Sequence, residues 1–220
     1  SNGVEELRRE LLGIWSTGAG RPIFNLGTWM KRKSTEEKIK LDKPCFAVDV
    51  SPDRSGASIT VTGQHNGKYV TRVLYDEEGT GWVPSRLKSL VLEGVSKGDG
   101  KIPILAIGNS AAQSLESEFK KERITVRWIS LSQYAQACGN IYDMIYQDTM
   151  SHTGQPVLTD AVMALRRKDK GAGLFVWDKA TPMNEIRAAV AMTVSTFGAK
   201  ARKDAFADDD GGRKNRNRSF

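Results

Sequence analysis

Cys45-Phe-Ala-Val-Asp-Val-Ser-Pro-Asp-Arg-Ser-Gly-Ala-Ser-Ile59 decides how this chain folds. The stretch reads as an apolar strand, a turn and the start of a second strand. Phe46, Val48 and Val50 alternate with Ala47 and Asp49, so one carboxylate lies on a strand face otherwise held by a small residue. Taking an ionised carboxylate out of water is costly unless it is paired or coordinates a metal. Ser51-Pro52-Asp53-Arg54-Ser55-Gly56 is a turn by composition, which puts Asp49 just ahead of a hairpin. Two readings are open for it. Asp49 caps the turn or pairs with a nearby Arg or Lys, or it is an acid that holds a metal ion.

Working outward, residues 57–65 and 67–75 form two β-rich runs joined through Asn66-Gly67, a hairpin signal, and with the first strand they make an antiparallel meander. Residues 82–95 carry Val83, Leu87, Leu90 and Val91 at helical spacing. A strand over 102–107, a helix over 110–121 and a strand over 124–129 follow. A longer helix, capped by Ser130 or Ser132, then runs towards Met150. Strands alternating with helices imply parallel additions to the meander. Another helix spans about 157–167. After a Gly171-Ala-Gly173 break come the strand Leu174-Phe-Val-Trp177 and a helix that opens near Pro182 and runs to Thr196.

The ends read differently. Val4, Leu7, Leu11 and Leu12 give an amphipathic helix, followed by Gly13, Gly18 and Gly20 and a charged linker to residue 43. Residues 199–220 are polar and charged, with Asp208-Asp-Asp210 set against a run from Arg213 to Arg218, and read as a disordered tail. The expected organisation is therefore a helix and linker over 1–43, one domain over 44–198 and a tail over 199–220. Ser1-Asn2-Gly3 looks like a cloning remnant, which implies a piece of a longer protein.

Hydrophobic residues make up 39% and charged residues 27% of the chain, which suits a soluble globular domain with a sizeable core and excludes a membrane span. Cys45 and Cys138 are too few for a disulfide framework, and a reducing compartment fits. The net charge of +7 is compatible with a polyanionic partner. With only His65 and His152 and no clustered Cys, a zinc site is not expected; His152 reads as a packing residue before it reads as a phosphate contact. No Gly-x-x-x-x-Gly-Lys-Ser/Thr loop occurs, so no residues are at hand for ATP hydrolysis.

Phe46-Ala-Val-Asp-Val-Ser-Pro-Asp-Arg-Ser-Gly-Ala-Ser58 closely resembles the first nuclease motif of phage terminase large subunits, which cut and package viral DNA. Leu174-Phe-Val-Trp-Asp-Lys-Ala-Thr-Pro-Met-Asn-Glu-Ile-Arg-Ala-Ala-Val-Ala191 resembles their closing motif, and residues 8–15 the junction leading into the nuclease. The resemblance implies a ribonuclease H-like α/β fold: a mixed sheet of a three-stranded meander plus parallel strands, flanked by helices. It implies metal-dependent endonucleolytic hydrolysis of double-stranded DNA with two Mg²⁺ or Mn²⁺ ions. Asp49 would bridge the ions, Asp178 and Glu185 would complete the shells, and Arg54 and Lys179 would contact phosphates from the rim. One departure stands out. The family's fourth-strand acid falls on Ile107, and of its neighbours only Asn109 offers an oxygen, which leaves a reduced metal site, an acid borrowed from elsewhere such as Asp53 or Asp178, or a weakly active nuclease. The family further implies the small terminase subunit and the portal as partners of a full-length protein, no membrane, and a packaging complex in the host cytoplasm outside the mature virion. Alternatives are a resolvase or transposase-like nuclease of the same fold, or a non-catalytic DNA-binding or portal-docking module.

Overall fold

Alternating branched and small side chains build β1 (Asp42–Val50), which pairs antiparallel with β2 (Gly56–His65), itself antiparallel to β3 (Lys68–Glu78). This computed structural model describes residues 22–96, 102–180 and 185–212. The expected helix over 4–15 lies outside them, as does Pro182; the last helix, expected to open there, begins at Arg187, after the non-helical Glu185 and Ile186. Asn66 and Gly67 turn β2 into β3 with φ of 48° and 79°, the left-handed pair that a two-residue hairpin turn requires. β4 (Ile104–Ile107) joins β1 in parallel and β5 (Val126–Ile129) joins β4. On the far edge β6 (Met150–His152) runs parallel to β3, giving the order β5-β4-β1-β2-β3-β6. This is the expected mixed sheet, with β6 added; three residues are too short to show a period of their own.

Helices cover both faces. α1 (Leu26–Met30), α4 (Leu131–Tyr146), α5 (Pro156–Ala164) and α6 (Arg187–Gly212) supply one core, on Cys45, Ala47, Leu105 and Ile107 of the sheet. α2 (Val83–Ser96), a 3-10 turn over Ala111–Leu115 and α3 (Glu116–Lys121) cover the other face, on Phe46, Val48, Val50, Ile59 and Val61. Each large apolar side chain buried this way contributes about 1.5–3 kcal/mol. Ser130 starts α4 with a full capping box, its hydroxyl accepting from Gln133 N while the Gln133 side chain accepts from Ser130 N. No described helix is long and apolar enough to cross a membrane.

Three expectations change. The helix expected to Arg167 ends at Ala164, and β7 (Arg167–Gly171) pairs with β8 (Leu174–Trp177) in a separate hairpin. Gly171, Ala172 and Gly173 all have positive φ, so the break is the hairpin turn. α6 does not stop at Gly198. A Cβ there would lie 2.4 Å from Cys45 Sγ, so this glycine serves close helix-to-sheet contact and does not terminate the helix. The helix continues to Gly212, with Ala199 buried and Arg202 Nη1 donating to Pro44 O at 2.6 Å, so the stretch over 199–212 is helical where disorder was expected; 213–220 lie outside the described residues. Finally, the segment ahead of residue 44 is not all linker. Phe24 and Trp29 are fully buried, and Trp29 stacks on His152 at 3.9 Å. The His152 ring accepts from Gly154 N and reaches Trp29 O at 3.0 Å. Burial pushes its pKa down, so it packs as a neutral ring.

Candidate active site

The register of the sheet sets four residues in a row. Asp49 of β1 faces Ser58 of β2, which faces Asp76 of β3. On the other side the parallel register of Phe46 with Ile104 and Ala47 with Leu105, continued by two residues, brings Ile107 level with Asp49. The Asp49 side chain is 1% exposed. Burial pushes its pKa up, and Lys179 opposes that shift.

Lys179, three residues beyond Val176 of β8, turns inward. Its ammonium donates to Asp49 Oδ1 at 2.7 Å and approaches Val50 O at 3.4 Å. Lys179 was expected at the rim, against phosphates; a buried carboxylate needs a countercharge, and this lysine supplies it. Asp49 Oδ2 is buried with no hydrogen-bond partner. Nearby, the hydroxyl of Tyr134 on α4 is also buried without a partner, and burial drives its pKa well up. Asp49 is close enough to add to that shift.

Glu185 lies just before α6, and its carboxylate accepts from Ser51 Oγ at 3.0 Å and from Ser55 Oγ at 3.4 Å, both in the turn that follows Asp49. Arg187 then bridges two acids. It donates to Glu185 Oε2 at 2.6 Å and, through Nη2 and Nε, to both oxygens of Asp76 at 2.7 and 3.2 Å. Burial works against this guanidinium's charge, but Asp76 and Glu185 outweigh it and raise its pKa. The guanidinium packs against Gly56, where a Cβ would come within 2.6 Å of it. Glu185 thus joins the site through hydroxyls and an arginine.

Asp178 is fixed by backbone: its N–H donates to Arg166 O at 2.8 Å and its carboxylate accepts from Ala180 N at 3.1 Å. With Asn109, Lys179, Tyr134, Ile107 and Lys168 it lines a cleft of about 690 Å³. Asn109 sits at φ 54° with its N–H donating to Gln113 Oε1, half a turn past β4. Arg54 stands on the exposed turn, donating to Ser114 Oγ and Thr80 Oγ1. Asp53 closes that turn locally, accepting from Ser55 N at 2.9 Å, which lowers its pKa. Among the described residues, no three His, Cys, Asp or Glu side chains converge tightly enough to hold an ion. The structure therefore joins Asp49 to Lys179, sets Asp178 and Asn109 in one cleft, and leaves Glu185 and Arg54 at its flank. Sequence reading missed Asp76, Arg187 and Tyr134. The acid run Asp76-Glu77-Glu78 at the end of a strand was the one available signal.

No protein-family model matches the chain, and no curated protein matches it by sequence. Solved structures do match. The HK97 bacteriophage large terminase superposes with a TM-score of 0.58 at 15% identity, over 81% of this chain and 43% of that one. The chain thus spans less than half of that protein. The large terminase nuclease from thermophilic phage G20c gives 0.57 at 12% identity over 80% of this chain and 97% of its own. The same nuclease with bound magnesium gives 0.53 at 13% over 82% and 98%. At these identities the likeness establishes the fold.

Proposed function

We propose that this chain, which carries the fold of the phage large-terminase nucleases, is a divalent-metal-dependent endonuclease acting on double-stranded DNA in viral genome packaging. The observation that carries the reading is Asp49 Oδ2, a buried carboxylate oxygen without a partner at the end of the central strand. A hard oxygen ligand of this kind fits Mg²⁺ or Mn²⁺. Asp49 would hold the metal, with Asp178 and Glu185 to complete its surroundings and Asn109 a neutral oxygen in the cleft that Asp178 lines. When bound, the metal supplies an activated water and stabilises the leaving oxygen.

The chain's own residues do the rest. Lys179 neutralises one oxygen of Asp49 and fixes the carboxylate's orientation. Ser51 and Arg187 hold Glu185 against the turn that follows Asp49. Arg54 on the turn and Lys168 at the cleft edge are two exposed cations that would meet phosphates, which position a strand without reading its bases. Residues 44–198 would form the nuclease unit, extended by Trp29 before it and by α6 after it. Within a longer protein, the small terminase subunit and the portal would be its partners, in the host cytoplasm.

A second reading is a DNA-binding or docking module without catalysis. It is favoured by the absence of three converging acids among the described residues. Incubating supercoiled plasmid with the chain and Mg²⁺ or Mn²⁺ separates the two: nicking and linearisation that chelation abolishes are expected. Retarded but uncut plasmid at every metal concentration would sink the nuclease reading.

A further inference from the structure

The surroundings of Asp49 hold one carboxylate fewer than the resemblance implies and one ammonium more. Ile107, apolar and buried, stands level with Asp49 where the fourth-strand acid was expected. Lys179 Nζ lies on Asp49 Oδ1 at 2.7 Å, while Oδ2 has no partner. A carboxylate that bridges two ions gives one oxygen to each. Here one of those oxygens already faces a positive charge that is covalently part of the chain.

We propose that Lys179 is a built-in cation that takes one of the two metal positions on Asp49, so that the site binds a single divalent ion at Oδ2. The missing acid and the added lysine then belong together: with less negative charge in the cleft, one +1 group replaces a second +2 ion, which would meet like charge at short range. The ammonium has three donors, and Asp49 Oδ1 and Val50 O use two. The third is free for a phosphate oxygen. The inference rests on the nuclease reading of Asp49 and specifies how many ions that site takes and what Lys179 does there.

Calorimetric titration of Mn²⁺ into the chain, with electron paramagnetic resonance of the bound metal, tests it without reference to cleavage. The parent is expected to bind one ion with the spectrum of an isolated Mn²⁺. Lys179→Met keeps the aliphatic stem but frees Asp49 Oδ1, and should bind Mn²⁺ roughly tenfold tighter or more, the scale on which an adjacent charge biases a carboxylate. Lys179→Arg should keep the parent's stoichiometry and affinity. Melting curves without metal establish that each variant is folded. A magnetically coupled pair of ions in the parent would overturn the proposal, as would unchanged affinity in a folded Lys179→Met. A parent that binds no more Mn²⁺ than Asp49→Asn would overturn the nuclease reading as well, so the two failures are told apart.

Discussion

Two buried polar clusters lie on the same face of the sheet, a few residues apart along β2, and they are finished differently. Under α6, Thr62 Oγ1 meets Thr71 Oγ1 at 3.0 Å, Ser195 Oγ at 2.8 Å and Thr196 Oγ1 at 3.2 Å, and Thr60 donates to Ser195 at 3.0 Å. Ser195 passes its own proton on to Met192 O. Each hydroxyl in this cluster has a partner, as buried polar groups do when their task is to hold two elements in register. At the Asp49 end an equally buried carboxylate oxygen and the Tyr134 hydroxyl have none. An unsatisfied buried group costs about 1–3 kcal/mol. A completed network serves the fold, whereas one left open costs stability and leaves an oxygen for the metal proposed above.

Mutations can break that contrast. Asp49→Asn should lower metal-dependent cleavage by at least about 10²-fold, the scale for removing one preorganised charge. Because burial disfavours the ionised carboxylate more than Lys179 favours it, removing its charge should leave the melting temperature unchanged or higher. An Asn variant that melts well below the parent would put Asp49 in the same class as Thr62. Thr62→Val, equal in shape, strips a partner from Thr71, Ser195 and Thr196 and should cost about 1–3 kcal/mol in denaturant unfolding. Cleavage by the folded fraction should be unchanged. Loss of cleavage without loss of stability would show that the hydroxyl cluster reaches the site.

Gly198→Ala presses a methyl group against Cys45 Sγ and Leu105 and should destabilise by about 1–3 kcal/mol, which unfolding midpoints would register. No effect would mean that α6 can shift away from β1. The smallest effect concerns pH. His65 contacts Lys40 O and Glu36 Oε2, and the Glu36 hydrogen bond is the main cause that raises its pKa above the ordinary 6.5. A raised folded pKa gives stability that is present below the unfolded value and lost as pH rises through the folded value. The parent's melting temperature should therefore fall over that interval, and His65→Gln should flatten the slope. An equally steep slope in the variant would assign it to another group. His152, with its pKa lowered by burial, acts in the opposite sense, losing stability as pH falls through its unfolded value.

Much of the fold was legible because strand and helix periods are local. Val48 and Val50 around Asp49, Asn66-Gly67 and the serines at 130 and 132 each state their element within a few residues. The short or ambiguous pieces were not: Met150–His152 is too brief for a period, Gly198 looks the same as a stop or as a contact, and the helix past residue 199 looks like a polar tail. At the candidate site the sequence singled out Asp49 and Asp178 but not Asp76, and it set Lys179 at the rim. Lys179 and Arg187 carry the same formal charge as any rim residue, and nothing nearby in sequence tells where each points.

By itself, the sequence determined that an acid sits inside an apolar strand ahead of a turn, that a second acidic motif closes the chain's last strand and helix, and that the fourth-strand acid is missing. Side-chain chemistry and period suffice for the first statement; the closing motif and the missing fourth-strand acid follow from the resemblance to terminase sequences. Only the tertiary structure decided that Lys179, 130 residues from Asp49, meets its carboxylate, and that Arg187 ties Asp76 to Glu185. Such pairings depend on where the β7–β8 hairpin and α6 come to rest against β1, which packing across the whole core settles.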